Sequence, residues 1–226
     1  MREIILDTET TGLDPNNGHR IIEIGCVELI NHIPTKNHFH VYINPERDVP
    51  LEATEISGLT TEFLTPHPIF VHIADEFLNF IKDDQLIIHN ASFDIKFLNS
   101  ELSRLNKPLL RWHRVKDTLS MARQKFPGSP ASLDALCKRF QIDLSKRQKH
   151  GALIDSFLLA EVYLELLGGR QRKLGIEENS KLSSENIKDQ ASVINFPRRH
   201  FNLKPEESSA HKLFLKEIRN NLWYYE

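Results

Sequence analysis

Apolar and polar residues in the first 169 positions alternate between the spacings of strands and of helices. Short apolar runs such as EIILDTE and QLIIH are typical of strands, whereas IFVHIADEFLNFIK has apolar residues at helical intervals. Three strands are expected first, followed by strands that alternate with helices. The five strand segments are EIILDTE, RIIEIGCVELI, KNHFHVYIN, QLIIH and WHRV. This order predicts an α/β fold with a mixed five-stranded sheet flanked by helices on both faces.

Local start and stop signals set the expected bounds of the helices. Ser92 is the expected N-cap of a helix that runs to about Asn106. Gly168–Gly169 are expected to end a long helix over GALIDSFLLAEVYLELL. Further helices are predicted for DTLSMARQKF and SLDALCKRF, and LEATEISGLTTEFLTPHP is expected to be irregular or briefly helical.

The pattern changes after Gly169. Residues 170–204 are polar with few periodic apolar positions, which predicts a flexible linker. The last stretch, AHKLFLKEIRNNLWYY, regains helical spacing. A helix this short is marginal alone, so its apolar face is expected to dock on another surface. The sequence therefore predicts a catalytic domain over 1–169, a linker over 170–204 and a docking helix over 205–226.

Composition and charge restrict the class of protein. The chain has 226 residues, 40% of them hydrophobic, and no apolar run long enough for a membrane span, so a cytoplasmic protein with no membrane partner is expected. Cys26 and Cys137 lie in apolar stretches and are expected to be buried free thiols. Residues 1–169 carry 18 Lys and Arg against 23 Asp and Glu, a net charge of −5. Such a surface needs metal ions, local basic patches or a partner to bind a polyanion.

Acidic residues follow two of the predicted strands. Asp7 and Glu9 are two apart on the first strand, so their side chains leave the same face, and TTG then bends the chain at the strand end where α/β ligand sites form. Asp94 lies in the first turn of the helix after the fourth strand, over the same end of the sheet if the two strands are neighbours. Taken singly, each acid also fits a solvated strand end or a favourable helix-dipole position.

The stretch KHGALID adds His150 and Asp155, the second of them on a helix whose neighbouring residues are apolar. A lone histidine is more often a surface residue. With the other acids, however, the set offers four carboxylates and one imidazole at one sheet edge. Hard oxygen ligands suit Mg²⁺ or Mn²⁺, and two such ions about 4 Å apart can act on a phosphoryl group. An imidazole, with an ordinary pKa of about 6.5, can take a proton from water.

These motifs resemble those of a known family. DTETTG, HNASFDIKFL and HGALID are similar to the three exonuclease motifs of the DEDDh 3′–5′ exonucleases, which have a ribonuclease H-like fold. With VKDTLSMARQKFPG and SLDALCKRF, the resemblance to the proofreading exonuclease subunits of bacterial DNA polymerase III extends over nearly all of residues 1–170. It implies hydrolysis of mispaired nucleotides from the 3′ terminus of nascent DNA.

The resemblance also implies roles for the individual residues. Asp7, Glu9 and Asp155 would hold two divalent metal ions, Mg²⁺ or Mn²⁺, and would touch the substrate at the same time. Asp94 would assist the second ion, and His150 would be the general base.

The resemblance further places three residues near the terminal nucleotides: Thr10, Phe93 and Ser57. Phe93 fits ordinary core packing equally well. Where family members commonly have a His-Gly pair, this chain has Ser57–Gly58, which leaves the chemistry in place but changes a contact with the terminal nucleotide.

Two features of the tail imply partners. Residues 171–176, QRKLGI, resemble a peptide that binds the sliding clamp β, with Leu174 and Ile176 in apolar pockets and Gln171 at the rim. The terminal helix, with Leu222 and Trp223, resembles the segment that docks on the polymerase III α subunit, although it could instead fold back on its own domain. A small accessory subunit would be a further partner.

Two other functions stay open at this point. A stand-alone exonuclease of the same family would act on RNA or short single strands, but it would not need a tail of this length. A non-catalytic module that tethers clamp and polymerase would not need all five chemical residues.

Overall fold

The computed structural model describes residues 1–145, 149–169 and 204–217. The chain divides into two compact units, Met1–Ile176 and Glu177–Glu226. The described part of the second unit contains one helix, Pro205–Glu217. The rest of the predicted docking helix lies outside the described residues.

The first unit contains the predicted mixed five-stranded sheet, whose strand order is β3-β2-β1-β4-β5. The strands are β1 Arg2–Thr10, β2 Ile21–Ile30, β3 Ile33–Tyr42, β4 Gln85–Ile88 and β5 Val115–Asp117. The first three form an antiparallel meander, and β4 and β5 run parallel to β1. The prediction of the fold class is therefore confirmed.

Two strand boundaries differ from those expected. Asn31 and His32 both have positive φ, 51° and 67°, so they form a two-residue hairpin turn and β3 begins at Ile33, before the expected lysine at position 36. In WHRV, the first three residues form a 3₁₀ turn, Trp112–Arg114, and β5 starts only at Val115.

Helices cover both faces of the sheet. In the first unit they are α1 Leu51–Ser57, α2 Thr61–Leu64, α3 Phe70–Ile81, α4 Ala91–Arg104, α5 Thr118–Lys125, α6 Leu133–Phe140 and α7 Ala152–Leu167; α8 is Pro205–Glu217. A further 3₁₀ turn spans Pro15–Asn17. The long helix ends at Gly168 as predicted, and the segment after β3 forms two short helices.

The prediction that Ser92 caps α4 is wrong. The helix begins one residue earlier, at Ala91, and Asn90 precedes it in the left-handed conformation with φ 61°. The backbone N–H of Asn90 donates to Asp117 Oδ1 at 3.0 Å, so a side chain from the end of β5 holds this helix start. The helix ends at Arg104 rather than near position 106.

Alternate residues of β1 pack against different helices. Ile4 and Leu6 belong to the core cluster that includes α3 and α4, whereas Ile5 packs in the cluster that includes Leu159 and Tyr163 of α7. Burial of each such side chain stabilises the fold by about 1.5–3 kcal/mol. This alternation fixes which helix each residue at the end of β1 faces.

Both cysteines are buried free thiols, as predicted, and burial raises the pKa of the Cys26 thiol. Among the described residues, none of the helices has the length and apolar character needed to span a bilayer.

Candidate active site

Strand β1 carries Asp7 and Glu9 to its carboxyl end, where both side chains are half-buried. Their positions have the same parity as Ile5, so they lie on the sheet face that α7 covers. The regular strand ends here. The pairing with β2 shifts between Glu9 and Thr10, and the Thr10 hydroxyl donates to the carbonyl of Gly12 at 2.6 Å.

Asp94 reaches the same cleft from the other face of the sheet. It lies in the first turn of α4, directly after the parallel strand β4, and it is only 3% exposed. Thr8 has the opposite parity to Asp7, and its Oγ1 donates to Asp94 Oδ1 at 2.7 Å. Burial raises the pKa of Asp94 to about 7, although the hydrogen bond from Thr8 acts in the opposite direction. The carboxyl group is therefore near its point of ionisation at neutral pH.

Helix α7 approaches the sheet closely enough to bring Asp155 to the end of β1. Gly25 on β2, which pairs with Asp7, makes this possible. A Cβ atom at this position would overlap the backbone of Ala152 and Leu153. Ser156 Oγ donates to the carbonyl of Gly25 at 2.9 Å, which fixes the contact. We did not identify Gly25 from the sequence, although a glycine inside an apolar strand is a signal of close backbone approach.

His150 lies in the segment before α7, beside Asp155. Its Nδ1 is 3.2 Å from Asp155 Oδ2, and its side chain is 47% exposed. The backbone N–H of His150 donates to the carbonyl of Ile56 at 3.3 Å. The side chain of Lys149 covers Gly58, which has φ 79°. The end of α1 therefore supports the segment that carries His150.

The acids repel one another strongly. The pKa of Asp7 is raised well above its ordinary value, first by burial and then by the negative charges of neighbouring carboxylates: Asp94, Glu9, Asp155 and Glu23. Such a group is stabilised either by protons or by bound cations.

The donor set fits a divalent cation. Glu9, His150 and Asp155 can each offer one ligand atom, and these atoms all lie within 4.8 Å of one another. Asp7 and Asp94 add further carboxylate oxygens to the lining of the same cleft. A group dominated by carboxylate oxygens suits Mg²⁺ or Mn²⁺.

Glu23 is a carboxylate that sequence reasoning did not single out. It pairs with Glu9 across β1 and β2, is 3% exposed, and its Oε1 is 2.7 Å from His40 Nε2. Its neighbours in the apolar run IIEIG are the signal that could have identified it, since a carboxylate is rarely buried in a strand without a partner.

The cleft around these groups has a volume of about 670 Å³. Its lining contains four carboxylates and His150, and it also includes Leu119, Arg123 and Leu133. Phe93 also lines the cleft and packs against Phe97 with ring centroids 5.0 Å apart, so it contributes both to the core and to the site.

Two other residues with predicted roles, Ser57 and Thr10, do not line the main cleft. The hydroxyl of Ser57 donates to the Ala53 carbonyl at 2.9 Å, and the residue lines a separate pocket of about 380 Å³ to which His150 also contributes. Thr10 is not among the residues that line the main cleft. The predicted partner-binding residues lie outside the described residues: Gln171, Leu174, Ile176, Leu222 and Trp223.

Comparison with known proteins gives consistent results. The profile of the family described as "Exonuclease" matches residues 4–163. The chain is 53% identical over 228 residues to the DNA polymerase III subunit epsilon of Rickettsia felis, covering 96% of this chain and 97% of the relative. It is 49% identical over 176 residues to the subunit of the same name from Escherichia coli strain K12, covering 75% of this chain and 72% of the relative.

Solved structures share the fold. Exonuclease X in complex with 5′ overhanging duplex DNA superposes with a TM-score of 0.59 at 26% identity, over 73% of this chain and 90% of that one. The nuclease domain of 3′hExo, a DEDDh family member bound to rAMP, has a TM-score of 0.64 at 21% identity, over 74% of this chain and 91% of that one.

Proposed function

Because this chain belongs to the exonuclease family of DNA polymerase III epsilon subunits, we propose that its acidic cleft removes mispaired nucleotides from the 3′ end of nascent DNA. One observation supports this most strongly: four carboxylates and a histidine, distant in the chain, meet in one cleft. The named relatives are subunits of a DNA polymerase, and a solved exonuclease of the same fold is bound to duplex DNA.

We assign the cation ligands to Asp7, Glu9 and Asp155, with Asp94 assisting. Two divalent cations, Mg²⁺ or Mn²⁺, would lower the mutual repulsion that raises the pKa of Asp7. When bound, the cations supply positive charge to the attacking and leaving oxygens of the scissile phosphate. Thr8 orients the Asp94 carboxylate through its hydrogen bond, and the close approach of α7 at Gly25 orients Asp155.

His150 accepts a proton from the attacking water. Its half-exposed ring can reach a water molecule in the cleft, while Nδ1 next to Asp155 holds the ring in place. General-base catalysis of this kind contributes about 10²–10⁴-fold to a rate.

The substrate enters as a frayed single strand. A mispaired 3′ end requires less unpairing free energy to reach a cleft that accepts one unpaired terminus, which favours its removal over that of a paired end. Phe93 offers an aromatic face at the cleft, and stacking on such a face depends little on base identity. Thr10 and Ser57 remain proposed contacts of the terminal nucleotide.

The polymerase complex is the proposed setting of the reaction. The domain over residues 1–169 has a net charge of −5, so its overall charge would not attract DNA. We propose that residues 205–226 dock on the α subunit through Leu222 and Trp223, and that Gln171, Leu174 and Ile176 bind clamp β. Residues 170–204 would be the linker between these contacts, and a small accessory subunit would be a further partner.

The substrate assignment is tested with three end-labelled substrates in Mn²⁺: a DNA primer with a 3′ mismatch, the same primer fully paired, and an RNA tail. The proposal predicts fastest release of mononucleotides from the mismatched DNA. Faster degradation of the RNA would favour a stand-alone RNA exonuclease instead. Equal rates on matched and mismatched primers would contradict proofreading.

A further inference from the structure

The catalytic cleft contains a cation that the acid cluster does not use. Of its described lining residues, Arg123 is the only arginine or lysine. It lies on α5 one turn after Leu119, and both residues line the cleft, so this face of the helix forms one wall. Arg123 is exposed to solvent and is therefore open to a ligand.

Arg123 lies in the cleft but stands apart from the acids. In residues 1–145 and 149–169, none of its nitrogen atoms takes part in a hydrogen bond or an ion pair. Its positive charge acts on His89, another lining residue, whose pKa is lowered mainly by burial and in part by Arg123. The guanidinium is therefore close enough to His89 for its charge to act on that ring.

Two nearby basic residues, Lys125 and Arg139, do not share this property. Lys125, two residues later on α5, donates to the backbone carbonyls of Glu165 and Leu166 at 3.0 and 2.9 Å. Arg139 is stacked over the ring of Phe126 at 4.4 Å from its centroid and does not line the cleft. Arg139 is thus a matched control for the loss of an exposed arginine.

We propose that Arg123 binds a backbone phosphate of the DNA strand that remains after cleavage. The inference rests on the proposed function, in which the acids act on the scissile phosphate. The departing 3′-terminal nucleotide carries only that one phosphate and ends in a hydroxyl group. Any second phosphate in the cleft must therefore belong to the retained strand. A guanidinium is suited to a phosphate because its N–H groups can form paired, charge-assisted hydrogen bonds.

Arg123 is then a substrate-positioning residue. It would hold the strand while its terminus enters the site, and it would keep the shortened strand in the cleft between successive cuts. On a substrate that lacks a second phosphate, Arg123 would have no group to bind.

The test compares two substrates and three variants. The substrates are a single-stranded DNA oligonucleotide and the p-nitrophenyl ester of thymidine 5′-monophosphate, which has no upstream phosphate. For Arg123→Ala we expect KM for the oligonucleotide to rise about tenfold, as expected from loss of one charge-assisted contact, with kcat changed less than about twofold. Hydrolysis of the ester should be unchanged. Arg123→Lys should recover part of the loss, and Arg139→Ala should match the wild type.

Two further measurements separate a phosphate contact from damage to the fold. The slope of log affinity against log salt should fall by about 0.7 in Arg123→Ala, since one phosphate contact is lost. A second oligonucleotide carries an uncharged methylphosphonate at the first upstream linkage. Wild type should bind this strand as weakly as Arg123→Ala binds the normal strand. The variant should bind both strands equally.

The outcomes are distinct. Equal losses on ester and oligonucleotide, or an unchanged KM and salt slope on the oligonucleotide, would overturn the inference. Affinity is also measured by fluorescence anisotropy in Ca²⁺, where hydrolysis is not needed. A wild-type protein without nuclease activity would therefore contradict the proposed function. The anisotropy measurement would still show whether Arg123 contributes to binding of the strand.

Discussion

At the scale of single residues, the fold holds several carboxylates so close together that their negative charges repel one another. Asp94 is 3% exposed and Asp155 is 4% exposed. The pKa of Asp7 and that of Asp94 are both raised, with burial as the first cause. The fold tolerates this arrangement at a cost in stability, which a bound cation would offset.

Asp94→Asn tests this cost through pH. The folded-state pKa of about 7 lies above the ordinary value of 3.8, so the stabilising contribution of Asp94 is full below about pH 4 and is lost as pH rises through 7. The neutral amide keeps an oxygen acceptor for Thr8 but cannot ionise. Without divalent cations, we expect the variant to be more stable than wild type at pH 8 by about 1–3 kcal/mol, and the difference to shrink toward pH 5.5.

Thermal unfolding in a chelator across pH 5.5–8 measures the effect, since 1 kcal/mol corresponds to about 2–4 °C in Tm for a chain of this size. On addition of Mn²⁺, wild type should gain more than the variant. Parallel Tm profiles for the two proteins would show that Asp94 does not titrate as described.

His150→Ala separates two roles that the geometry allows. His150 lies within ligand distance of Glu9 and Asp155, so it could bind a cation rather than accept a proton. As a general base, its loss should lower kcat by about 10²–10⁴-fold and leave the Mn²⁺-induced rise in Tm intact. Asp155→Ala is the control, because it should lose both the catalytic rate and the Mn²⁺-induced rise in Tm. If the His150 variant also lost the Mn²⁺ response, the histidine would be a ligand.

The acids and the histidine could be selected as candidate site residues from the sequence because each has an unusual position. Two acids are on the same face at the end of a strand, one acid is on an apolar helix face, and the histidine precedes a glycine. The sequence did not reveal Glu23, which is near the acids because it pairs with Glu9 across the two strands. Nor did it show that the Ser57 hydroxyl donates a hydrogen bond to the Ala53 carbonyl in the same helix.

At the scale of elements, the distance between α7 and the sheet decides whether Asp155 reaches Asp7. The approach requires a glycine at position 25, because a Cβ atom there would overlap the helix backbone. One residue on β2 therefore sets the position of a proposed ligand on another element.

Gly25→Ala should displace α7. We expect a loss of about 1–3 kcal/mol in the free energy of unfolding from overpacking, and a fall in kcat of about 10²-fold because ligand geometry changes by about 1 Å. Activity is measured at a temperature where circular dichroism shows the variant to be folded. Gly128→Ala is the control: its added Cβ meets nothing within 4 Å, and it carries only the strain of φ 72°. A Gly25→Ala enzyme with wild-type kcat would refute the positioning role.

The sequence predicted most elements because strand and helix periodicities are local signals. The sequence-based prediction failed at the start of α4, because serine is a favoured N-cap residue but Ser92 does not cap this helix. The actual acceptor is Asp117, which also accepts from the N–H of Leu119 at the start of α5. A cap supplied by another strand leaves no mark in the local pattern.

At the scale of the whole molecule, charge is distributed unevenly along the chain. Residues 1–169 have a net charge of −5, whereas residues 170–226 have 11 basic against 8 acidic residues. A nuclease that depends on its polymerase for contact with DNA would act at primer ends and would not degrade DNA at large.

Deletion of residues 205–226 tests this division. The truncated protein should release nucleotides from a free primer at the wild-type rate, since none of the proposed ligands lies in the deleted segment. It should no longer co-purify with the polymerase α subunit. Retained co-purification would place the polymerase contact elsewhere in the chain.

The central claim is that the clustered carboxylates cleave DNA from its 3′ end with the help of divalent cations. The most direct measurement is a time course of mononucleotide release from an end-labelled primer with a 3′ mismatch, for wild type and Asp7→Asn in Mn²⁺. The account predicts stepwise shortening from the 3′ end by wild type, its arrest by chelator, and a rate at least about 10³-fold lower for the folded variant. Equal rates for the two proteins, or shortening that continues in chelator, would contradict it.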